Sequence, residues 1–350
     1  MSSDLSTLPA ARREPDFSNL LAVLHRERPA RRTLYELFLN DRLYQRFCDP
    51  ALLAKLSPQD DWLDRRRMII SAYIRAGYDY AHYDCPFGFP RPGYTRAASI
   101  SQSENPIIVD RASFGAYAWP DPDRQDYSLL DTAGTDLPPK MKFVSMCPSG
   151  VLENVIALVG YEQLCLMVHD NPALVEDVFA NVGKRLTRYQ EIVSAHPKVG
   201  ACMCNDDWGH RTQTLLSPEH HRKYVLPWHQ RMIEAIHKNG KPAMLHSCGN
   251  LDKVMEDVIA IGFDAKHSYE DTICPIEAMY DRYSDRIATI GGIDLDFLCR
   301  RPIEEVKARC RAMYQRAEKG GYALGTGNSV PEYVPDERYC AMTGVAFEEN

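Results

Sequence analysis

Residues 242–270, PAMLHSCGNLDKVMEDVIAIGFDAKHSYE, decide the fold. The stretch opens with a short, largely apolar run at 242–247 and closes with the short segment DAKHSY at 264–269, and we expect both to be strands. Between them, residues 252–261 repeat apolar side chains at helical spacing. Two strands joined by a helix form a β/α unit, whose strands run parallel in one sheet.

The same alternation of strands and helices extends over most of the chain. Eight candidate strands lie at 33–39, 78–83, 164–168, 199–205, 242–247, 264–269, 287–293 and 322–326. Eight such units in 350 residues predict a single α/β domain over 1–350, a (β/α)8 or TIM barrel.

Two segments depart from this rhythm. Residues 1–15 form a polar N-terminal tail. Residues 85–149 are rich in Pro, Gly, Ser and aromatic residues, and we interpret them as a long loop insertion after the second strand. Long loops at the strand ends of a barrel commonly line a substrate pocket, so we expect the insertion to shape one.

Composition and charge exclude several classes of protein. A hydrophobic content of 45% with 25% charged residues is typical of a folded chain rather than a disordered one. The formal charge of −7, without a long basic run, disfavours nucleic-acid binding. The short basic cluster at 65–67 lies among aspartates and predicts a solvated helix face.

The cellular location is predicted from membrane-span and leader patterns and from the distribution of the cysteines. No stretch approaches the eighteen or so apolar residues of a membrane span, and the first residues lack an apolar leader. The 11 cysteines are spread through regular segments, unlike those of a disulfide-stapled secreted domain. We therefore predict a cytoplasmic protein that does not enter a membrane.

Polar residues and glycines lie at or just beyond the carboxyl ends of the predicted strands. They are Asp84, Asp206, Asp207, His246, Cys248, His267, Tyr269, Glu270, Gly291, Gly292, Asp294, Gly327 and Asn328. The carboxyl ends of the strands of a parallel barrel converge on one face, where active sites lie. For any single residue, such as Asp206 or Asp294, a helix N-cap is the alternative.

His246 and Cys248 are the strongest candidate metal ligands. They are two residues apart on a predicted strand, so their side chains point the same way. Glu270 follows the next strand, and imidazole, thiolate and carboxylate are ligands that zinc binds. The alternative is that His246 and Cys248 pack in the core and that Glu270 caps a helix.

Several motifs together resemble the uroporphyrinogen decarboxylase superfamily. They are LLAVLHRERPARRTLYELFLN at 20–40, DDWG at 206–209, LLSPEHHRKYVLPWH at 215–229, LHSCGN at 245–250, GGID at 291–294 and GTGNSVPEYVP at 325–335. The resemblance covers nearly the whole chain. It implies a (β/α)8 barrel that is a tetrapyrrole decarboxylase, a corrinoid-dependent methyltransferase or a cobalamin-independent methionine synthase.

The motifs are most similar to those of the zinc methyltransferase branch. Asp84 matches the catalytic aspartate of the decarboxylases, but YELFLND at 35–41 replaces their arginine-bearing segment. His246, Cys248 and Glu270 match the zinc ligands of the methyltransferases, whereas Asn328 stands where that branch has a final cysteine. Zinc with one thiolate, one carboxylate and a neutral imidazole has no net charge, which makes it a strong Lewis acid.

We accordingly predict a methyltransferase that moves a methyl group between a small methylated substrate, or a thiol, and a corrinoid (cobalamin) on a partner protein. Zinc is the second predicted cofactor, and the chain could form a homo-oligomer. The predicted catalytic residues are Asp84, Asp206, Asp207, His267 and Tyr269, and the predicted cofactor-binding residues are Gly291, Gly292, Asp294, Gly327 and Asn328.

Two alternatives stay open. One is a metal-free decarboxylase or lyase of a small carboxylate or a tetrapyrrole, with Asp84 and Asp206 as acid and base. The other is a noncatalytic barrel that binds a tetrapyrrole or corrinoid.

Overall fold

The computed structural model describes residues 13–91 and 106–348. Its centre is a parallel sheet whose strands follow one another in chain order: β1 Tyr80–Asp84, β2 Lys142–Met146, β3 Val199–Asn205, β4 Ala243–His246, β5 Ala265–His267, β6 Ala288–Ile290 and β7 Tyr322–Ala323. Each strand pairs in parallel with the next. The fold is TIM-barrel-like, as predicted.

The barrel closes through the segment predicted as its first strand. Of residues 33–39, Leu34 alone forms a bridge among the described residues, parallel to Leu324 beside β7. On the other side, β1 reaches this segment through a side chain: the Tyr80 hydroxyl donates to Glu36 O (2.7 Å) and accepts from Glu36 N (2.8 Å). His82 Nε2 of β1 also lies 2.7 Å from Glu36 O, so in place of the eighth strand the described residues have one bridge and these side-chain contacts.

Helices pack around the sheet. They are α1 Ser18–Leu24, α2 Asp41–Phe47, α3 Pro50–Leu53, α4 Trp62–Ala76, α5 Arg111–Ala116, α6 Ser128–Gly134, α7 Val151–Val159, α8 Tyr161–Asp170, α9 Pro172–Ser194, α10 Pro218–His220, α11 Leu226–Lys238, α12 Met255–Ala260, α13 Ile276–Tyr283, α14 Leu295–Arg300, α15 Ile303–Arg316 and α16 Asp336–Gly344. Short 3₁₀ turns cover Pro122–Arg124 and Val345–Phe347, and a π turn, His221–Val225, joins α10 to α11.

Two strand predictions need correction. The run at 164–168 lies inside α8, not in a strand, and the second strand of the sheet is β2, within the segment predicted as an insertion. A short apolar run fits a buried strand or a buried helix equally well, which explains the error at 164–168. The rest of 85–149 contains α5 and α6, while residues 92–105 lie outside the described residues, so its pocket-shaping role stays a prediction.

In the described ranges, no single helix is long and apolar enough to cross a bilayer. The pair α7 and α8, bent by 94° at its junction, meets the length and composition of a span only when the two are taken together.

Candidate functional site

The register of three neighbouring strands brings polar side chains onto one face at the carboxyl end of the sheet. Asn205 of β3 pairs with His246 of β4, which pairs with His267 of β5. Residues in register on parallel strands point to the same face, and so do residues two further along a strand. Asp207 and Cys248 therefore continue on the face of Asn205 and His246.

Asp207, His246 and Cys248 form the candidate metal centre. One ligand atom from each lies within 4.8 Å of the others. His246 Nε2 is 3.5 Å from Cys248 Sγ and 3.6 Å from Asp207 Oδ1. Donor atoms 2.0–2.3 Å from a tetrahedral zinc ion lie about 3.3–3.8 Å apart, and both distances from His246 Nε2 fall in this range.

The hydrogen bonds behind His246 determine which of its nitrogens faces the centre. His267 Nε2 lies 3.2 Å from Thr326 O, and because a carbonyl only accepts, this nitrogen carries the hydrogen. His267 Nδ1 then accepts from His246 Nδ1, 2.8 Å away. Burial lowers the pKa of His246 to about 3 and that of His267 well below its usual range, so both rings are neutral. His246 Nε2 thus presents a lone pair to a metal.

Glu36 supports this chain of hydrogen bonds from the barrel interior. It is fully buried and accepts from Thr326 N (2.8 Å). The Thr326 hydroxyl contacts both Glu36 Oε2 and the carbonyl oxygen of Asn328, and its single hydrogen serves only one of them. The second contact needs a proton on Glu36, and burial raises the pKa of Glu36 to about 8. A neutral Glu36 therefore fixes Thr326 and, through it, His267.

Asp206 takes the alternative role, that of a helix cap. Its side chain is fully buried and accepts from Leu152 N (3.0 Å) and Glu153 N (2.9 Å) at the start of α7, and from His229 Nε2 (2.8 Å). A Cβ at Gly150 would lie 2.0 Å from this side chain. Asp206 points away from the metal centre because it is one residue out of step with Asn205 and Asp207. The structure thus shows Asp206 as a helix cap, the alternative to its predicted acid–base role.

Glu270, predicted as the third zinc ligand, does not join the cluster in the described part of the chain. Together with Lys266 and Ser268 it lines a cavity of about 250 Å³. Tyr269 lines the same cavity, and its hydroxyl donates to Lys266 O (3.0 Å). Among the described residues, Asp207 rather than Glu270 joins His246 and Cys248 in the candidate cluster.

Lys266 is a functional candidate that our sequence reasoning missed. It is buried, lies 4.4 Å above the Tyr269 ring, and donates to Ser268 O (2.6 Å). Burial lowers its pKa to about 8, and Cys248 and Asp207 oppose that shift. A lysine in the middle of a predicted strand was the signal available in the sequence.

The predicted cofactor-binding residues have internal partners. A Cβ at Gly291, whose φ is +76°, would lie 2.4 Å from Thr326 O and 2.7 Å from His267 Cδ2. At Gly292 it would meet Ile276, and at Gly327 it would meet Tyr269 O. These glycines admit the protein's own groups rather than an open cradle.

Asp294 and Asn328 complete that set. Asp294 caps α14 by accepting from Phe297 N (3.0 Å). Asn328 instead adjoins the candidate metal centre, since its amide Nδ2 donates to Cys248 Sγ (3.3 Å). Of the predicted cofactor-binding residues, only Asn328 is thereby brought to the metal centre.

The mouth of the barrel, at the carboxyl ends of its strands, has further polar groups near β1 and β3. Asp84 ends β1 and pairs with Arg66, a buried member of the cluster at 65–67, whose predicted solvated face is therefore wrong for this residue. Glu153 Oε2 accepts from Asn205 Nδ2 (3.1 Å). Burial, with the neighbouring charges of Asp206 and Asp207, raises the pKa of Glu153 to about 8. Glu153 is a second candidate that we missed, since nothing in a helix's first turn marks a glutamate as half-buried beside other carboxylates.

Comparison with known proteins adds a family. Residues 142–348 match the family model described as Uroporphyrinogen decarboxylase (URO-D). Among solved structures, a methyltransferase from Methanosarcina mazei is similar at a TM-score of 0.69 and 16% identity, covering 94% of this chain and 97% of that one. Xylanase B from Clostridium stercorarium F9 reaches a TM-score of only 0.40 at 9% identity, over 63% and 84% of the two chains. No curated protein matches in sequence.

Proposed function

Since the chain belongs to the uroporphyrinogen decarboxylase family, we propose that it is a zinc-dependent methyltransferase of that family. It would move a methyl group between a small methylated molecule and a corrinoid. The convergence of Asp207, His246 and Cys248 carries the proposal, because the three donors match zinc in kind and spacing. The likeness in fold to the methyltransferase from Methanosarcina mazei supports it.

Zinc at this centre would supply Lewis acidity toward an oxygen or sulfur atom of the substrate. Three protein donors would leave a position for that atom, as in catalytic zinc sites. Asn328, in place of a fourth ligand, donates a hydrogen bond to Cys248 Sγ, and the nearby ammonium of Lys266 favours the thiolate form of Cys248. Both contacts favour Cys248 as a ligand.

Glu153 is placed to handle a proton at the mouth. With a pKa near 8 it is largely protonated at neutral pH, and it lies beside Asn205 and Asp207. A neutral carboxylic acid can donate a proton to an oxygen that leaves with negative charge. We propose that Glu153 protonates the demethylated product.

The corrinoid belongs to a partner protein in this proposal. The predicted cofactor-binding glycines pack against Thr326, Ile276 and Tyr269, and Asp294 caps a helix, so these residues do not fit a resident corrinoid. A partner would present the corrinoid at the open face of the barrel.

Metal content and methyl transfer test the proposal together. We expect purified protein to hold one zinc per chain and to convert free cob(I)alamin to methylcobalamin with one member of a panel of methanol, methoxyarenes, methylamines and methyl thioethers. Cys248→Ala should lose both properties. Cys165→Ala, a partly exposed cysteine of α8, is the matched control and should keep both. Zinc-free wild-type protein, or undiminished methyl transfer by Cys248→Ala, would disprove the proposal.

The decarboxylase alternative predicts Asp84 and Asp206 as acid and base, and only Asp84 is accessible to a substrate. Asp206 is buried under a helix end, whereas Asp84 stays at the mouth with its side chain 47% exposed. Release of carbon dioxide from a carboxylate substrate without corrinoid would favour this alternative.

A further inference from the structure

Arg66 occupies a core position on α4. The helix begins after Asp61, whose side chain accepts from Asp64 N (2.8 Å), and Arg66 follows in its second turn. Ile70 and Tyr73 lie one and two turns further along the same face and are buried. Arg66 is 4% exposed, unlike its neighbours in the chain. Burying a guanidinium is costly unless it is paired and hydrogen-bonded.

Arg65 and Arg66 each pair with one carboxylate, and these pairings do not use all of their N–H donors. Arg66 Nη1 donates to Asp84, while Arg66 Nε is buried and has no hydrogen-bond partner in the described part of the chain. Arg65 Nη2 donates to Asp41 Oδ1 (2.9 Å), and Asp41 is about half exposed. A guanidinium carries five N–H donors in a planar fork that matches a carboxylate. Both arginines thus keep donors beyond these single contacts.

A cavity of about 360 Å³ adjoins both arginines at the carboxyl ends of β1, β2 and β3. Its polar lining includes Arg65, Arg66, His82, Asp84 and Asn205, and its apolar lining includes Phe38, Leu39, Ile69 and Met146. This volume is within the range of small-molecule sites, and an apolar wall with a few convergent polar groups is their usual composition.

The cavity lies on the same face of the barrel as the candidate metal centre. Asn205 lines the cavity and is in register with His246 of the centre. On the other side, Phe38 O accepts from Val330 N (2.8 Å), which belongs to the loop that carries Asn328 to Cys248. One small molecule bound in the cavity would therefore be held beside the centre.

The charges of the cavity wall favour an anion. Arg65 and Arg66 are positive, Asp84 is negative, and burial lowers the pKa of His82 to about 4, which keeps that ring neutral. The wall thus has one more positive than negative group, since the partner of Arg65, Asp41, is not part of it.

We propose that the Arg65–Arg66 cavity binds the carboxylate of the substrate, with an aromatic or other apolar body against Phe38 and Met146. The inference rests on the proposed function, since it names the substrate class of the same barrel mouth. In this assignment Arg65 and Arg66 determine substrate specificity. The substrates are then small methylated carboxylic acids rather than methanol or other uncharged methyl donors.

Benzoate and its uncharged isostere benzamide test the assignment by calorimetric titration of the full chain. We expect benzoate to bind about 10- to 100-fold more tightly than benzamide, the difference made by one charge-assisted pairing. Arg65→Met and Arg66→Lys should each weaken benzoate binding about tenfold or more and leave benzamide binding unchanged. Arg65→Met changes a side chain that is 33% exposed, so it remains informative if Arg66→Lys fails to fold.

A control variant shows whether Arg65 and Arg66, rather than another arginine of α4, hold the anion. Arg67 lies on the same helix but pairs with Asp64 (3.2 Å) and does not line the cavity, so Arg67→Met should bind benzoate as the wild type does. Equal affinity for benzoate and benzamide, or an equal loss in Arg67→Met, would overturn the assignment.

The same titrations distinguish failure of the assignment from failure of the proposed function. Charge-selective binding without any methyl transfer would refute the function and keep the carboxylate site. Methyl transfer without preference for carboxylates would refute the carboxylate site and keep the function.

Discussion

Replacing Asp206 by alanine should destabilise the fold far more than the same change one residue later. Asp206 accepts from Leu152 N, Glu153 N and His229 Nε2 in a fully buried setting. Alanine would leave these three donors without a partner. Each of the three unpaired donors should cost about 1–2 kcal/mol, so we expect a loss of about 3–6 kcal/mol in the free energy of unfolding.

Asp207→Ala is the matched comparison. Asp207 is 40% exposed and accepts one backbone hydrogen bond, from Cys248 N (2.9 Å), so its loss should lower the free energy of unfolding by about 1 kcal/mol or less. Zinc affinity should respond in the opposite order. Asp207→Ala removes a donor of the centre and should weaken zinc binding more than about 100-fold, the upper end for residues that only support a ligand.

Urea unfolding followed by circular dichroism measures the first effect, and competition with a chelator measures the second. A loss of about 3–6 kcal/mol approaches the whole stability of many domains, so Asp206→Asn, which keeps one accepting oxygen, supplies a milder variant. An unfolding midpoint of Asp206→Ala equal to that of the wild type would refute the reasoning. So would equal destabilisation by the two alanine variants.

Three further expectations follow from the centre. Zinc affinity should rise about tenfold per pH unit between about pH 6 and 8. The reason is that the metal must displace one proton from Cys248, whose pKa burial raises to about 12, and none from His246, whose pKa is about 3. Chelator competition across pH measures this slope, and a flat profile would contradict it. His267→Phe should weaken zinc binding about 10- to 100-fold without unfolding the barrel, because His246 loses the acceptor that orients it; unchanged affinity would show that His246 needs no support. Gly291→Ala should lower the thermal midpoint and weaken zinc binding, since its Cβ would lie 2.4 Å from Thr326 O and 2.7 Å from His267 Cδ2; differential scanning calorimetry with chelator competition measures both, and an unchanged variant would refute the packing argument.

The fold was predictable where strands and helices alternate without interruption. From residue 199 onward every predicted strand is confirmed, with β4 to β7 shorter than expected. The first half was harder because β2 is a five-residue strand inside a Pro-rich segment, while the apolar run at 164–168 belongs to a helix. Local composition cannot separate these two cases, since tertiary packing decides them.

The site was partly predictable, and its errors have a common cause. His246 and Cys248 were identified by alternation along a strand. The same alternation points the side chains of the neighbours Asp206 and Asp207 in different directions. We grouped Asp206 and Glu270 with the site because they are close to it in the sequence. Helical periodicity likewise places Arg66 on a buried face. The tautomer of His246, in contrast, depends on distances between strands that no sequence pattern contains.

The closure of the barrel has a consequence for how the protein is made. Glu36 is synthesised well before Thr326, and the hydrogen bonds between them join residues 290 positions apart. Contacts of such long range form late, after the intervening chain is available. A nascent chain that has not yet reached Thr326 therefore lacks the support that orients His246. A chain truncated before Thr326 would carry Cys248 and His246 without that support, so the proposed metal centre would be incomplete in it.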